Sequence, residues 1–187
     1  MRQVAAALVH YPVLDRSGRV VTTAITNLDL HDLGRSGHAY GLSGVWVVHP
    51  VAAQRELAVR VREHWISGSG GRRIPDRRPA MQMLRVVPSL QDVLAEMEVE
   101  AGTEMWSTGA SARHSRLLSY SVARAQLSQP GPPVLLLFGT GWGLANEVLA
   151  SSGAQLEPIR SRRADGYNHL SVRAAAAITF DRLLGVA

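Results

Sequence analysis

The chain has 187 residues, 46% of them apolar and 19% charged, which suffices for one domain with a buried core and excludes general disorder. It has no cysteine, so a disulfide framework, thiolate metal sites and a cysteine nucleophile are excluded too. The net charge is +5, the pI is near 10.6 and all 20 basic residues are arginine, the side chain suited to bidentate phosphate and guanine contacts. A GC-rich genome accounts for the missing lysines but not for the excess charge, which points to an anionic partner such as nucleic acid.

Residues 4–9 read as a buried strand, followed by turn signals at Tyr11-Pro12 and Ser17-Gly18. Residues 20–25 are rich in β-formers and fit an edge strand or an extended loop. Asn27 or Asp29 is placed to cap a helix running to about Tyr40 and stopped by Gly41. Residues 45–48 form the next short strand, and Val51, Ala58, Val61 and Trp65 share one helical face. Residues 67–80, SGSGGRRIPDRRPA, read as a flexible insertion with two arginine pairs.

A strand at 83–87 precedes a helix capped by Ser89, with Leu90, Val93, Leu94 and Met97 at core spacing. A short strand at Met105-Trp106, a helix over 115–127 and the most hydrophobic strand, 134–138, come next. A glycine-rich turn, a helix to Ala150, a short strand near Leu156 and a last helix from Ser171 complete the chain. This alternation predicts an α/β fold with a mostly parallel sheet and helices on both faces, in one domain over residues 1–187. The longest uncharged run, 125–146, is broken by three prolines, and residues 4–9 are too short for a signal-peptide core. No membrane span and a cytoplasmic location are expected.

Three segments carry chemistry. Phe138-Gly139-Thr140-Gly141-Trp142-Gly143 follows the most buried strand and opens a helix, where glycines admit a ligand close to the backbone and free amides can donate to it. It lacks the lysine of a P-loop and the spacing of a dinucleotide fingerprint, so by itself a tight structural turn is as good a reading. The second segment, residues 167–173, gathers Asn168, His169 and Arg173 at the entrance of a helix capped by Ser171. In the third, residues 27–41, helical register places Asp32 and Arg35 side by side. His31 and His38 have no third ligand at useful spacing, so no metal site is expected.

Taken together, these segments resemble the SPOUT superfamily of S-adenosylmethionine-dependent RNA methyltransferases. The matching stretches are Arg35-Ser36-Gly37-His38-Ala39-Tyr40-Gly41, Leu137-Phe138-Gly139-Thr140-Gly141-Trp142-Gly143 and Asn168-His169-Leu170-Ser171-Val172. More closely, the whole chain is similar to a small bacterial family of SPOUT domains described as resembling, or sometimes fused to, tRNA guanine-N1 methyltransferase. Leu8-Val9-His10-Tyr11-Pro12-Val13 and Asp181-Arg182-Leu183-Leu184-Gly185 fit that family as well.

The resemblance implies a parallel sheet with a C-terminal trefoil knot and a homodimer whose site is completed across the interface. It also implies S-adenosyl-L-methionine as cofactor, held by Phe138, Gly139, Thr140, Gly141, Trp142, Gly143, Ile159, Leu170, Ser171 and Val172. Arg35 matches the catalytic arginine of the ribose-methylating branch, with Asp29 or Asp32 as its partner. Asp165 is the nearest match to the aspartate base of the guanine-N1 branch. The expected reaction is methyl transfer to tRNA or rRNA at a ribose 2′-OH or guanine N1, with Arg72, Arg73, Arg77, Arg78, Arg160, Arg162 and Arg163 meeting phosphates. Trp65 or Trp142 can stack a base if exposed. The competing reading is a non-catalytic module that binds cofactor or RNA without transferring a methyl group.

Overall fold

The fold is that of a computed structural model describing residues 1–97 and 102–186. In chain order the first half comprises β1 (Val4–Val9), β2 (Val13–Leu14), β3 (Val20–Val21), α1 (Asn27–Ala39), β4 (Val45–Val48), α2 (Ala52–Ile66), α3 (Ser69–Arg73), a 3₁₀ turn (Pro75–Arg77) and α4 (Arg78–Gln82). The second comprises β5 (Leu84–Val87), α5 (Leu90–Met97), β6 (Glu104–Ser107), β7 (Leu117–Leu118), α6 (Tyr120–Ser128), β8 (Val134–Gly139), α7 (Asn146–Ser151), β9 (Ala154–Leu156) and α8 (Val172–Leu184).

Seven strands form one parallel sheet in the order β5-β4-β1-β8-β6-β9-β7. β1 and β8 lie near its middle, covered on both faces, which is why they read as unbroken apolar runs rather than alternating ones. Side-chain alternation sends Ala6, Leu8, Val47, Leu136 and Phe138 toward α1, α2, α6 and α8. It sends Ala7, Val9, Val48, Leu135 and Leu137 toward α5 and α7 on the other face. Phe138 meets Phe180 of α8 edge-to-face at 5.6 Å, a geometry worth about 1 kcal/mol beyond the area buried. That contact anchors α8 beneath the end of the central strand, next to the glycine-rich turn.

Four local features differ from the sequence reading. Neither Asn27 nor Asp29 caps α1: Thr26 does, accepting from the Asp29 amide at 3.2 Å while its hydroxyl donates to the Asp29 carboxylate. Within residues 20–25 only Val20–Val21 pair, antiparallel to β2, as a ribbon outside the main sheet. The helix expected from Ser115 starts at Tyr120, because Leu117 and Leu118 pair with β9 and Ser119 supplies the N-cap. The arginine insertion is not a flexible loop: α3, the 3₁₀ turn and α4 fold it against Trp65, with Gly70, Gly71, Ala80 and Met81 buried.

Candidate functional site

The parallel strands leave their C-terminal ends on one edge of the sheet, and a cavity of about 550 Å³ opens there. Its walls come from the segments that follow β3, β6, β8 and β9 and from the first turns of α1 and α8. All ten residues singled out around the glycine turn, Ile159 and the 170–172 segment line it: Phe138, Gly139, Thr140, Gly141, Trp142, Gly143, Ile159, Leu170, Ser171 and Val172. Segments far apart in sequence thus meet at one concavity of the size ordinary for a small-molecule ligand.

Local chemistry explains the shape. At Gly141, with φ +59°, an added Cβ would stand 2.8 Å from the Leu14 carbonyl oxygen, so the turn lies against β2 with no room for a side chain. The ribbon in turn braces it, since Trp142 N–H donates to Leu14 O and Leu14 N–H to Gly143 O. Across the cavity, the Asn168 amide nitrogen donates to Ile159 O at 2.8 Å and closes the 159–168 excursion. Ser171 accepts from the Ala174 amide and starts α8. A cradle with backbone on one side and apolar Phe138, Ile159 and Val172 around it fits an adenosine-bearing ligand such as S-adenosylmethionine.

The four residues singled out for catalysis separate. Asp29 lines the cavity; Arg35, Asp32 and Asp165 do not. Arg35 and Asp32 form no ion pair, although helical register put them side by side. Asp32 turns instead to Arg173 (Nε–Oδ2 3.3 Å), which also reaches Asp29 (Nη1–Oδ1 3.2 Å). One arginine from α8 therefore bridges two carboxylates from α1, and Asp29 is the buried one. Arg35 is exposed and lines a separate, smaller cleft with His38, Ile74, Asp76 and Arg77. Asp165 is exposed and held by Arg163, whose hydrogen bonds keep the carboxyl below its usual range.

A polar relay, buried at His10 and half-buried at Thr23 and Thr140, backs the cavity wall. Thr140 donates to Val9 O, Thr23 donates to Thr140, and His10 Nδ1–H therefore donates to Thr23 Oγ1 at 3.0 Å. That order leaves His10 Nε2 as a bare acceptor with no partner among the described residues. Burial, reinforced by His49, pushes the His10 imidazole down to about 4 from 6.5. Between those pH values the unfolded chain binds the proton and the folded chain does not, so stability falls as pH falls from 6.5 toward 4. The full window amounts to about 3 kcal/mol. Urea titrations from pH 7 to 4.5 are expected to show this loss, and His10→Gln is expected to remove most of the slope. An undiminished slope in the variant would assign it to other groups, His49 and His31 first, whose values are also lowered by burial.

Of the arginines singled out for RNA, Arg72, Arg73 and Arg78 are exposed on the helical insertion, and Arg160, Arg162 and Arg163 on the excursion after β9. Arg77 stacks over the Trp65 ring at 4.3 Å, so Trp65 is occupied by protein. Trp142 is 56% exposed at the cavity mouth, edge-on to His169 at 5.9 Å. Sequence reasoning missed Thr23, Thr26, Thr108, Gly109, Tyr120, Glu157 and Thr179 as lining residues. Thr108 was reachable, because it directly follows β6, the neighbour of the strand β8 that carries the glycine turn; Glu157 follows β9, one strand further out.

A parallel α/β sheet with a glycine-rich ligand cradle at its carboxyl edge defines a nucleotide- or cofactor-binding domain. A family model for SAM-dependent RNA methyltransferases matches residues 3–185, and the chain belongs to that family. It is 44% identical over 184 residues to a tRNA (guanine-N(1)-)-methyltransferase of Nitratidesulfovibrio vulgaris; the match takes in 98% of this chain but 42% of that protein. An uncharacterized protein of Aquifex aeolicus is 35% identical over 181 residues, 96% of this chain and 87% of its own length. Among solved structures, TrmJ from Z. mobilis superposes with a TM-score of 0.62 over 100% of this chain and 70% of that one, at 15% identity, a likeness of fold.

Proposed function

We propose that this chain transfers a methyl group from S-adenosyl-L-methionine, held in the cavity at the carboxyl edge of the sheet, to tRNA or rRNA at a ribose 2′-OH or guanine N1. The observation that carries this reading is the convergence of three sequence-distant segments on one glycine-cradled cavity in a chain of this family. The cofactor, when bound, supplies an electrophilic methyl on its sulfonium. The ten lining residues from Phe138 to Val172 hold it, chiefly through backbone groups. Asp29, the one of the four proposed catalytic residues in the cavity wall, takes the acceptor's proton, and Arg173 fixes its carboxylate. Asp32 positions Arg173, whereas Arg35 and Asp165 would act only from a second copy or after rearrangement.

RNA enters over Arg72, Arg73, Arg77, Arg78, Arg160, Arg162 and Arg163, and exposed Trp142 offers a face for a splayed base. The named activity of the N. vulgaris relative supports guanine N1 as the acceptor, although this chain spans 42% of that protein. The single folding unit over 1–187, the C-terminal trefoil knot, the homodimer and the cytoplasmic location belong to the same proposal. For the dimer, the support is Leu28 and Leu170, apolar and exposed at 59% and 46%. No helix among the described residues is long and apolar enough to cross a membrane.

The test is methyl transfer from tritiated cofactor to bulk tRNA and rRNA, with mass spectrometry of the product nucleosides. Label in RNA, lost at high salt, is expected. Cofactor binding by calorimetry without label in any RNA would favour the non-catalytic module. Alanine at Arg72, Arg73, Arg77 and Arg78 together is expected to flatten the dependence of RNA affinity on log salt by about one to four units. An unchanged slope would take the insertion out of the RNA surface.

A further inference from the structure

The cavity contains a second carboxylate, Glu157, that the mechanism above does not use. Its backbone amide donates to Leu118 O and extends the edge of the sheet, and the half-buried residue lines the cavity. Glu157 Oε1 accepts from the Tyr120 amide at 3.2 Å, in the first turn of α6, where the helix dipole favours a negative charge. Oε2 has no partner among the described residues. Beside it, the Tyr120 hydroxyl and Thr179 Oγ1 stand 3.3 Å apart, with Ile159 and Val172 completing an apolar wall. Asp29, the other carboxylate of the cavity, is already met by Arg173 and Thr26. Asp29 is carried by α1, after the β2–β3 ribbon, whereas Glu157 follows β9.

We propose that Glu157 is a specificity-determining residue that selects the adenosine half of the cofactor, its free oxygen accepting from the ribose hydroxyls or the N6 amine. A fixed carboxylate in an apolar wall favours a ligand bringing donors and penalises one bringing acceptors or none. The inference rests on the cavity being the cofactor site.

Calorimetry with S-adenosylhomocysteine on wild type, Glu157→Ala and Glu157→Gln tests it. Glu157→Ala is expected to raise Kd roughly tenfold or more, and Glu157→Gln, which keeps an acceptor for the Tyr120 amide and hence the start of α6, by a smaller factor. Two analogues distinguish the donors, one without the 2′ and 3′ hydroxyls and one methylated at N6. The analogue lacking the recognised donor should weaken wild-type binding by a factor comparable to that for Glu157→Ala, and should bind Glu157→Ala no worse than S-adenosylhomocysteine does. Equal Kd values in all three proteins, or analogue penalties that ignore the substitution, would overturn the role of Glu157 alone. Failure of wild type to bind S-adenosylhomocysteine at all would instead strike the assignment of the cavity.

Discussion

Gly141→Val is expected to abolish S-adenosylhomocysteine binding, with a loss of at least roughly a hundredfold in affinity, about 2.7 kcal/mol. Two independent constraints meet at that position. The backbone is left-handed at φ +59°, which a β-branched residue occupies only at a cost of about 1–2 kcal/mol. A Cβ would also stand 2.8 Å from Leu14 O and 3.4 Å from Thr23 Cγ2, forcing the turn away from the β2–β3 ribbon and breaking the Trp142–Leu14 hydrogen bond. The ligand wall would then move as a whole, and the melting temperature should fall with it. Gly143→Ala is the comparison: φ is +100°, yet the nearest atom to its Cβ is Arg113 Nη1 at 3.7 Å, so strain arises without collision. Calorimetry paired with thermal melting reads both. A folded Gly141→Val protein with unchanged affinity would take the glycine turn out of the site.

Arg173→Ala is expected to lower stability by about 1–3 kcal/mol and turnover by roughly 10²-fold. Losing Arg173 leaves the Asp29 side chain, 8% exposed, as an unpaired buried charge. The range is set below that of a fully buried pair because Arg173 is itself 29% exposed and partly screened. For a chain of this length the melting temperature should drop by about 2–8 °C. On an Asp29→Asn background the same substitution should cost much less, since the charge it strands is already gone. Arg35→Lys, at an exposed position outside the cavity, is expected to leave melting unchanged. A large loss of turnover in Arg35→Lys, with wild-type kinetics in Arg173→Ala, would reverse the two assignments and imply that Arg35 serves a partner's site.

The strands were legible because parallel strands covered on both faces must be apolar throughout, as residues 45–48 and 134–138 are. The ten cavity residues were legible for a different reason: their motif order matches a family, and neither periodicity nor spacing brings Ile159 and Gly141 to one cavity. What the sequence hid was pairing across the chain. Helical register is a statement about neighbours on one helix, so it offered Arg35 to Asp32; α8, 141 residues after Asp32 at Arg173, supplied the partner instead. β7 was hidden because two leucines carry no period, and only the edge of β9 makes them a strand. The arginine insertion was misread for composition, since glycine and serine argue for flexibility until a tryptophan packs against them.

That insertion has a consequence for how a polyanion would meet this protein. α3, the 3₁₀ turn and α4 hold four guanidinium-bearing positions on a scaffold fixed by Trp65, Met81 and two buried glycines. Backbone ordering, which a disordered basic arm must undergo during association, is complete before the encounter, at about 1–2 kcal/mol per residue not charged to binding. The spacing between the charges is likewise set in advance. A basic tail tolerates many phosphate geometries; were this surface the RNA face, as proposed, it would favour RNA whose fold presents phosphates at matching intervals over single strands of equal charge.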